Sequence, residues 1–181
     1  LRFAVLTGCM RISKESIFTG LNNLKVLSVV EDRFDEYFGF TNQEVRDMME
    51  YYGCACQYEV TKDWYDGYEF GHTDVYCPWD VINYCDSLRA NSRAQPQNYW
   101  SNTSGNEAVR KFVELSSNGM AKNEMERLIA GETIQKKIRQ ELTYRDMYDS
   151  IDHLWSLLFM TGYVTKRGMP KGKMFSIAIP N

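Results

Sequence analysis

Apolar and polar positions fall into short blocks along the chain, and their spacing predicts an α+β chain that is mainly helical. Residues 2–7 read as a strand that stops at Thr7-Gly8. Ser13 can cap a short helix over 14–19, with Gly20 to end it. "LKVLSVVED", residues 24–32, reads as a second strand. Thr41 and Glu44 form a capping box. Behind it Val45, Met48, Met49 and Tyr52 follow i, i+3, i+4, i+7, which predicts an amphipathic helix over 42–52 ending at Gly53. "YEVTKDWYDGYEFG" reads as a hairpin turning at Asp66-Gly67, since both central residues of that turn type take positive φ. Pro78 suits the first turn of a helix, where its missing N–H is no loss. Val81, Tyr84, Cys85 and Leu88 continue that helix. "RANSRAQPQ", residues 89–97, is polar and aperiodic and marks a boundary or loop.

The last third has its own rhythm. Ala108, Val109, Phe112 and Val113 share a helix face that ends near Gly119. Asn123 and Glu126 cap a helix over 124–130, closed by Gly131. Residues 132–142 are ambiguous: Ile134, Ile138 and Leu142 fit a helix, and 133–138 fits a short strand. Thr143 and Asp146 cap a short helix. Asp152 opens an apolar one with Leu154, Trp155, Leu157, Leu158 and Phe159, stopped by Gly162. Strands over 163–166 and 173–179 flank "RGMPKG". Helix, strand, helix, helix, hairpin is the order of a winged-helix module.

Composition narrows the class. The chain has 181 residues, 44% hydrophobic and 25% charged, which is ordinary for a globular protein. No apolar run reaches membrane-spanning length and no signal peptide is visible. The five cysteines, an odd number, favour reduced thiols in a cytoplasmic protein. Cys54, Cys56, Cys77, Cys85 and His72 match no familiar zinc spacing. With a net charge of −3, only a local basic patch would recruit nucleic acid. The chain begins without Met inside a strand, and is read as a piece of a longer protein.

Candidate chemistry is sparse. "GCMRISKES" imitates a phosphate loop, but Ser13 stands where Gly is needed and Glu15 where a hydroxyl must bind Mg²⁺. Glu31-Asp32 imitates the acidic end of a Walker B strand, yet has no phosphate loop to serve. His72 and His153 lack a nearby nucleophile. The crowd of Trp64, Tyr65, Tyr68, Phe70, Tyr76 and Trp79 suits either a base-stacking platform or, the favoured reading, the core of a small sheet. Arg11, Lys14, Ser16, Asn22 and Asn23 follow a strand end, where Arg and Lys are natural partners of phosphate. "NTSGN", residues 102–106, offers a helix amino end to an anion. Lys166, Arg167, Lys171 and Lys173 cluster in the last hairpin with no acid between them, which suits a nucleic-acid backbone.

Several phrases resemble, in order and across essentially the whole chain, bacterial AAA-ATPase-like proteins that commonly carry a carboxyl-terminal PD-(D/E)XK nuclease-like domain. They are "LTGCMRISKESIFTGLNNLKV", "FGFTNQEV", "WYDGYEFG", "DVYCPWDVINY", "NYWSNTSGN", "LIAGETI", "ELTYRDMYDSIDHLWSLLFMTGYVT" and "IAIPN". Cys77 and Asp80 depart from the family's Asn and Ser. The resemblance implies three parts. Residues 1–40 would be the remnant of a P-loop ATPase core, 41–97 a helical lid with an aromatic hairpin, and 98–181 a helical and winged-helix-like subdomain. Arg11, Lys14, Ser16, Asn22 and Asn23 would face the terminal phosphate of a nucleotide, with Arg11 reporting hydrolysis. ATP and Mg are expected for the longer protein and no cofactor for this piece, which alone would not be catalytic. Its partners would be the amino-terminal P-loop core and the nuclease-like domain, with nucleic acid and self-pairing of the first strand as further candidates. The alternatives are a nucleic-acid-binding winged helix and a degenerate ATPase that holds protein partners.

Overall fold

The computed structural model describes residues 5, 7–8, 25–100, 107–116, 119–142, 146 and 148–180. The strand expected over 2–7 falls mostly outside the described residues. So do the helix over 14–19, "NTSGN" and most of the helix capped by Thr143.

The first helix forms where its cap and its spacing place it. In α1 (Asn42–Tyr51) the Glu44 N–H donates to Thr41 Oγ1 at 3.3 Å, and the Thr41 N–H donates back to Glu44 Oε2 at 2.8 Å. Val45 and Met49 are fully buried on its inner face. A 3₁₀ turn over Ala55–Gln57 leads into α2 (Tyr58–Tyr65). The hairpin expected over 58–71 is therefore displaced. Tyr58, Thr61 and Tyr65, at i, i+3 and i+7, are buried along one helix face instead. The actual hairpin pairs β1 (Asp66–Phe70) with β2 (Thr73–Tyr76). It turns at Gly71-His72, where Gly71 supplies the positive φ of +49°. Asp66-Gly67 lies at the irregular start of β1, where the register shifts. α3 (Pro78–Ala90) follows with Pro78 in its first turn. Residues 91–100 form neither helix nor strand, yet they are tied down. The Tyr65 hydroxyl donates to the Gln97 carbonyl at 3.0 Å and accepts its N–H at 2.9 Å.

The segment expected as a strand over 24–32 is irregular where described, from residue 25 on. A strand needs a ladder partner, and among the described residues it has none. Its polar groups close locally instead. The Ser28 N–H and hydroxyl both donate to Glu31 Oε2, at 2.6 and 2.7 Å.

The carboxyl-terminal part comprises α4 (Glu107–Leu115), α5 (Gly119–Ile129), β3 (Ile134–Lys137), α6 (Ile151–Met160), β4 (Thr165–Lys166) and β5 (Met174–Ala178). Gly119 begins α5 rather than ending α4, and Val113 points outward at 65% exposure. The expected start of α5 at residue 124 thus comes five residues early. Within the ambiguous 132–142 segment, Ile134–Lys137 forms a strand and no helix. Ser150, not Asp152, caps α6 by accepting the His153 N–H at 3.2 Å. The three strands form an antiparallel sheet in the order β3-β5-β4.

The described residues hold two apolar clusters. One gathers Val45, Met49, Tyr76, Val81 and Tyr84 between α1, α2, β2 and α3. The other centres on α6, where the six consecutive residues Leu154 to Phe159 are all buried. Trp155 meets the Phe112 ring edge-on at 4.5 Å. Full burial of side chains such as Leu154 and Leu158 contributes about 1.5–3 kcal/mol each. Val29 and Val30 pack against this second cluster. The chain is thus a mixed α/β protein with two small antiparallel sheets. No helix among the described residues is long and apolar enough to cross a membrane.

Candidate functional site

The most developed polar constellation lies where β1–β2 meets β4. Strand alternation turns Tyr68 and Phe70 to one face of β1 and Glu69 to the other. Lys166, at the end of β4, is only 1% exposed. Its ammonium donates to Glu69 Oε1 and to the Gly71 carbonyl, both at 2.6 Å. The second Glu69 oxygen accepts the Gly168 N–H at 2.9 Å. The Glu69 N–H donates to Thr165 Oγ1 at 3.1 Å, and the Tyr68 hydroxyl donates to the Gly162 carbonyl at 3.0 Å. Five hydrogen bonds thus clasp the hairpin to the segment from Gly162 to Gly168. Burial pushes the Glu69 carboxyl up, but the hydrogen bonds from Lys166 and Gly168 and the charges of Lys166 and Arg167 outweigh it. Glu69 is therefore held below the ordinary glutamate value.

The segment 25–36 joins the same clasp. The Gly71 N–H donates to the Val29 carbonyl at 2.9 Å, and the His72 N–H to Asp35 Oδ2 at 2.9 Å. That bond is the main reason the Asp35 carboxyl lies below its ordinary value. His72 Nε2 lies 3.2 Å from Asp32 Oδ1. A Cβ on Gly71 would stand 2.5 Å from Asp35 Oδ2 and 2.8 Å from the Glu31 carbonyl, so only glycine allows this approach. The Ser28 hydroxyl oxygen also lies 3.1 Å from the Gln140 side-chain amide. An apolar cavity of about 190 Å³ lies at the junction, lined by Val29, Tyr68, Phe70, Phe159 and Val164 among others. Burial raises the Tyr68 hydroxyl to about 12, so it remains a hydrogen-bond donor.

The expected site residues fare unequally. Arg11, Lys14, Ser16, Asn22 and Asn23 lie outside the described residues. Lys166 is corrected: it is a buried ion-pair partner and not a cation offered to solvent. Arg167 is half-buried, and its charge acts on Glu69 and Asp66. Lys171 and Lys173 are exposed at the tight turn entering β5. Of the aromatic group, Tyr65 and Tyr76 are core, Tyr68 and Phe70 are half-buried, and Trp64 and Trp79 remain about half exposed. Glu31 closes a local contact with Ser28, and Asp32 reaches His72 at the hairpin turn. His153 is half-buried, its ring between the Asp146 carbonyl at 2.6 Å and Arg139 at 3.2 Å. Asp80, 8% exposed, has an Oδ1 without a partner among the described residues, and burial raises its carboxyl. Burial also lifts the neighbouring Cys77 thiol to about 11. Among the described residues no three His, Cys, Asp or Glu side chains converge as a metal site would require.

Sequence reasoning missed Glu69 and the buried role of Lys166. The available signal was slight: a single glutamate between aromatic neighbours, and a lysine ending an apolar strand.

Comparison with known proteins adds one partial likeness. Over 82 residues, 45% of this chain, it is 34% identical to an "uncharacterized protein in vnfD 5′ region" of Azotobacter chroococcum mcd 1. The match covers 16% of that protein, so the chain corresponds to a small part of its length. No family model matches, and no solved structure matches.

Proposed function

We propose that this chain is the sensor and lid portion of an AAA-ATPase-like protein, and that the clasp transmits nucleotide state to its carboxyl-terminal module. One observation carries this reading: residues 25–36, directly after the stretch holding Arg11, Lys14, Ser16, Asn22 and Asn23, bond to the hairpin turn that also holds Lys166. A displacement of that stretch would be felt at Gly71, and through Lys166 at β4. A charge-assisted contact between Arg11 and a terminal phosphate is worth about 1.5–3 kcal/mol, enough to bias a lid between two positions. The partners in this reading are a P-loop core that binds ATP and Mg, and a nuclease-like domain, in the cytoplasm.

The strand order β3-β5-β4 with α5 and α6 supports a winged-helix-like reading of the last module. Its use for reading bases is disfavoured by α6. The helix that would enter a groove buries Leu154 to Phe159 in the protein's own core, and its exposed first turn carries Asp152.

The test is nucleotide binding and turnover by the natural polypeptide that contains this chain. It is expected to bind Mg-ATP, while the chain by itself turns over none. Arg11→Ala is expected to lower turnover with binding retained. Absence of any ATP-induced thermal shift in the longer polypeptide, or turnover by the chain alone, overturns the proposal.

A further inference from the structure

Strand pairing assembles a cationic cluster that differs from the one visible in the sequence. Lys137 lies opposite Met174, and the next ladder bond runs from the Ile138 N–H to the Lys173 carbonyl at 3.0 Å. Lys171 and Met174 exchange backbone bonds at 2.9 and 3.2 Å around Gly172-Lys173, closing a tight turn at the same end of the sheet. Lys137 and Arg139 are exposed and Ile138 between them is buried, so both cations leave by the outer face. On an extended chain their Cα atoms stand about 6.6 Å apart. Lys137, Arg139, Lys171 and Lys173 are all exposed, and none has a carboxylate within 4.0 Å among the described residues. Arg139 spends one of its five N–H donors on the His153 ring. By contrast Lys136, on the inner face, is bound to Glu124 at 2.6 Å, while Lys111 and Lys122 pair with acids on their own helices.

We propose that this end of the three-stranded sheet is a sequence-independent docking site for the phosphate backbone of a nucleic acid, with Lys137, Arg139, Lys171 and Lys173 as its contacts. The charge is local, because the chain as a whole carries −3. A linear polyanion fits four cations gathered at one sheet end. Sequence independence follows from α6, whose residues Leu154 to Phe159 are buried and whose exposed first turn carries the acidic Asp152. The proposed contacts share no residue with Arg11, Lys14, Ser16, Asn22 and Asn23, so oligonucleotide binding by this chain and ATP binding by the longer protein are separate readouts.

The test is fluorescence anisotropy of the full chain with a labelled mixed-sequence oligonucleotide, single- and double-stranded, as salt is raised. Four phosphate contacts predict a slope of log affinity against log salt near −3.6 on duplex, about −0.9 per contact. Lys137→Glu with Lys173→Glu should weaken binding at low salt by at least about tenfold and flatten the slope by about two. The milder Lys137→Gln with Lys173→Gln should show a smaller loss in the same direction, with an unchanged melt. Lys111→Glu with Lys122→Glu, the same change in net charge on α4 and α5, should leave binding near wild type. The proposal is overturned if wild type does not bind. It is equally overturned if the control pair loses as much as the sheet pair, or if anionic phospholipid vesicles are bound and oligonucleotides are not.

Discussion

Replacing Glu69 by glutamine removes one charge from the clasp and leaves the other buried. The Lys166 ammonium, 1% exposed, would then keep the Gly71 carbonyl and at best a neutral amide oxygen. The amide's other end would place N–H donors against the Gly168 N–H, which now donates to Glu69 at 2.9 Å. Breaking a buried pair by removing one partner costs about 3–5 kcal/mol. The Glu69 side chain is 16% exposed, so water reaches part of the pair and the lower end applies, about 3 kcal/mol. For a chain of this size that is a fall in Tm of about 6–12 °C. Lys166→Met should cost less, about 1–2 kcal/mol, because the stranded carboxylate keeps the Gly168 N–H and some water. The double variant should be more stable than the sum of the singles, with a coupling of about 1–3 kcal/mol. Urea unfolding followed by tryptophan fluorescence measures all four proteins. A Glu69→Gln variant within about 0.5 kcal/mol of wild type, or strictly additive singles, refutes the reasoning.

Three other expectations rest on separate features. Because the Glu69 carboxyl is lower in the folded chain than its ordinary 4.5, its stabilisation is fully present above that value. It is lost as pH falls through the folded value, so Glu69→Gln should flatten the acid limb of a stability profile; an unchanged limb counts against the clasp. Gly71→Ala forces a Cβ against Asp35 and the Glu31 carbonyl at a positive φ, which should cost at least about 1–3 kcal/mol and speed amide exchange at His72. Native-state exchange checks this, and unaltered protection there contradicts it. Thr41→Ala opens the capping box and should lower stability by about 1 kcal/mol in the same urea assay.

Elements fixed by local chemistry were legible. α1 declared itself through its capping box, α3 through Pro78 followed by an apolar face, and the last two strands through apolar runs flanking a glycine- and lysine-rich turn. Elements whose state depends on distant partners were not. The 24–32 segment has strand composition, but a strand exists only beside another, and Ser28 and Glu31 satisfy each other first. Residues 58–65 hold Tyr, Val, Thr and Trp, which favour strands. The helical face there runs through Thr61, which does not read as apolar. Asp66-Gly67 then supplied a turn signal in the wrong place. The clasp was hidden for two reasons. Glu69 and Lys166 are 97 residues apart. A lysine is also rarely buried, so Lys166 reads in the sequence like Arg167, Lys171 and Lys173. Conversely, Lys137 and Arg139 join Lys171 and Lys173 only through the pairing of β3 with β5.

The central claim, that the clasp carries nucleotide state from the stretch around Arg11 to the carboxyl-terminal module, is tested most directly by hydrogen exchange. The natural polypeptide containing this chain would be compared with and without Mg-ATP, as wild type and as Glu69→Gln. The account predicts that nucleotide changes protection at Gly71 and His72 and also at Thr165 to Gly168 in wild type, and that Glu69→Gln keeps the first change and loses the second. Protection at Thr165 to Gly168 that ignores nucleotide in wild type, or follows it equally in Glu69→Gln, contradicts the account.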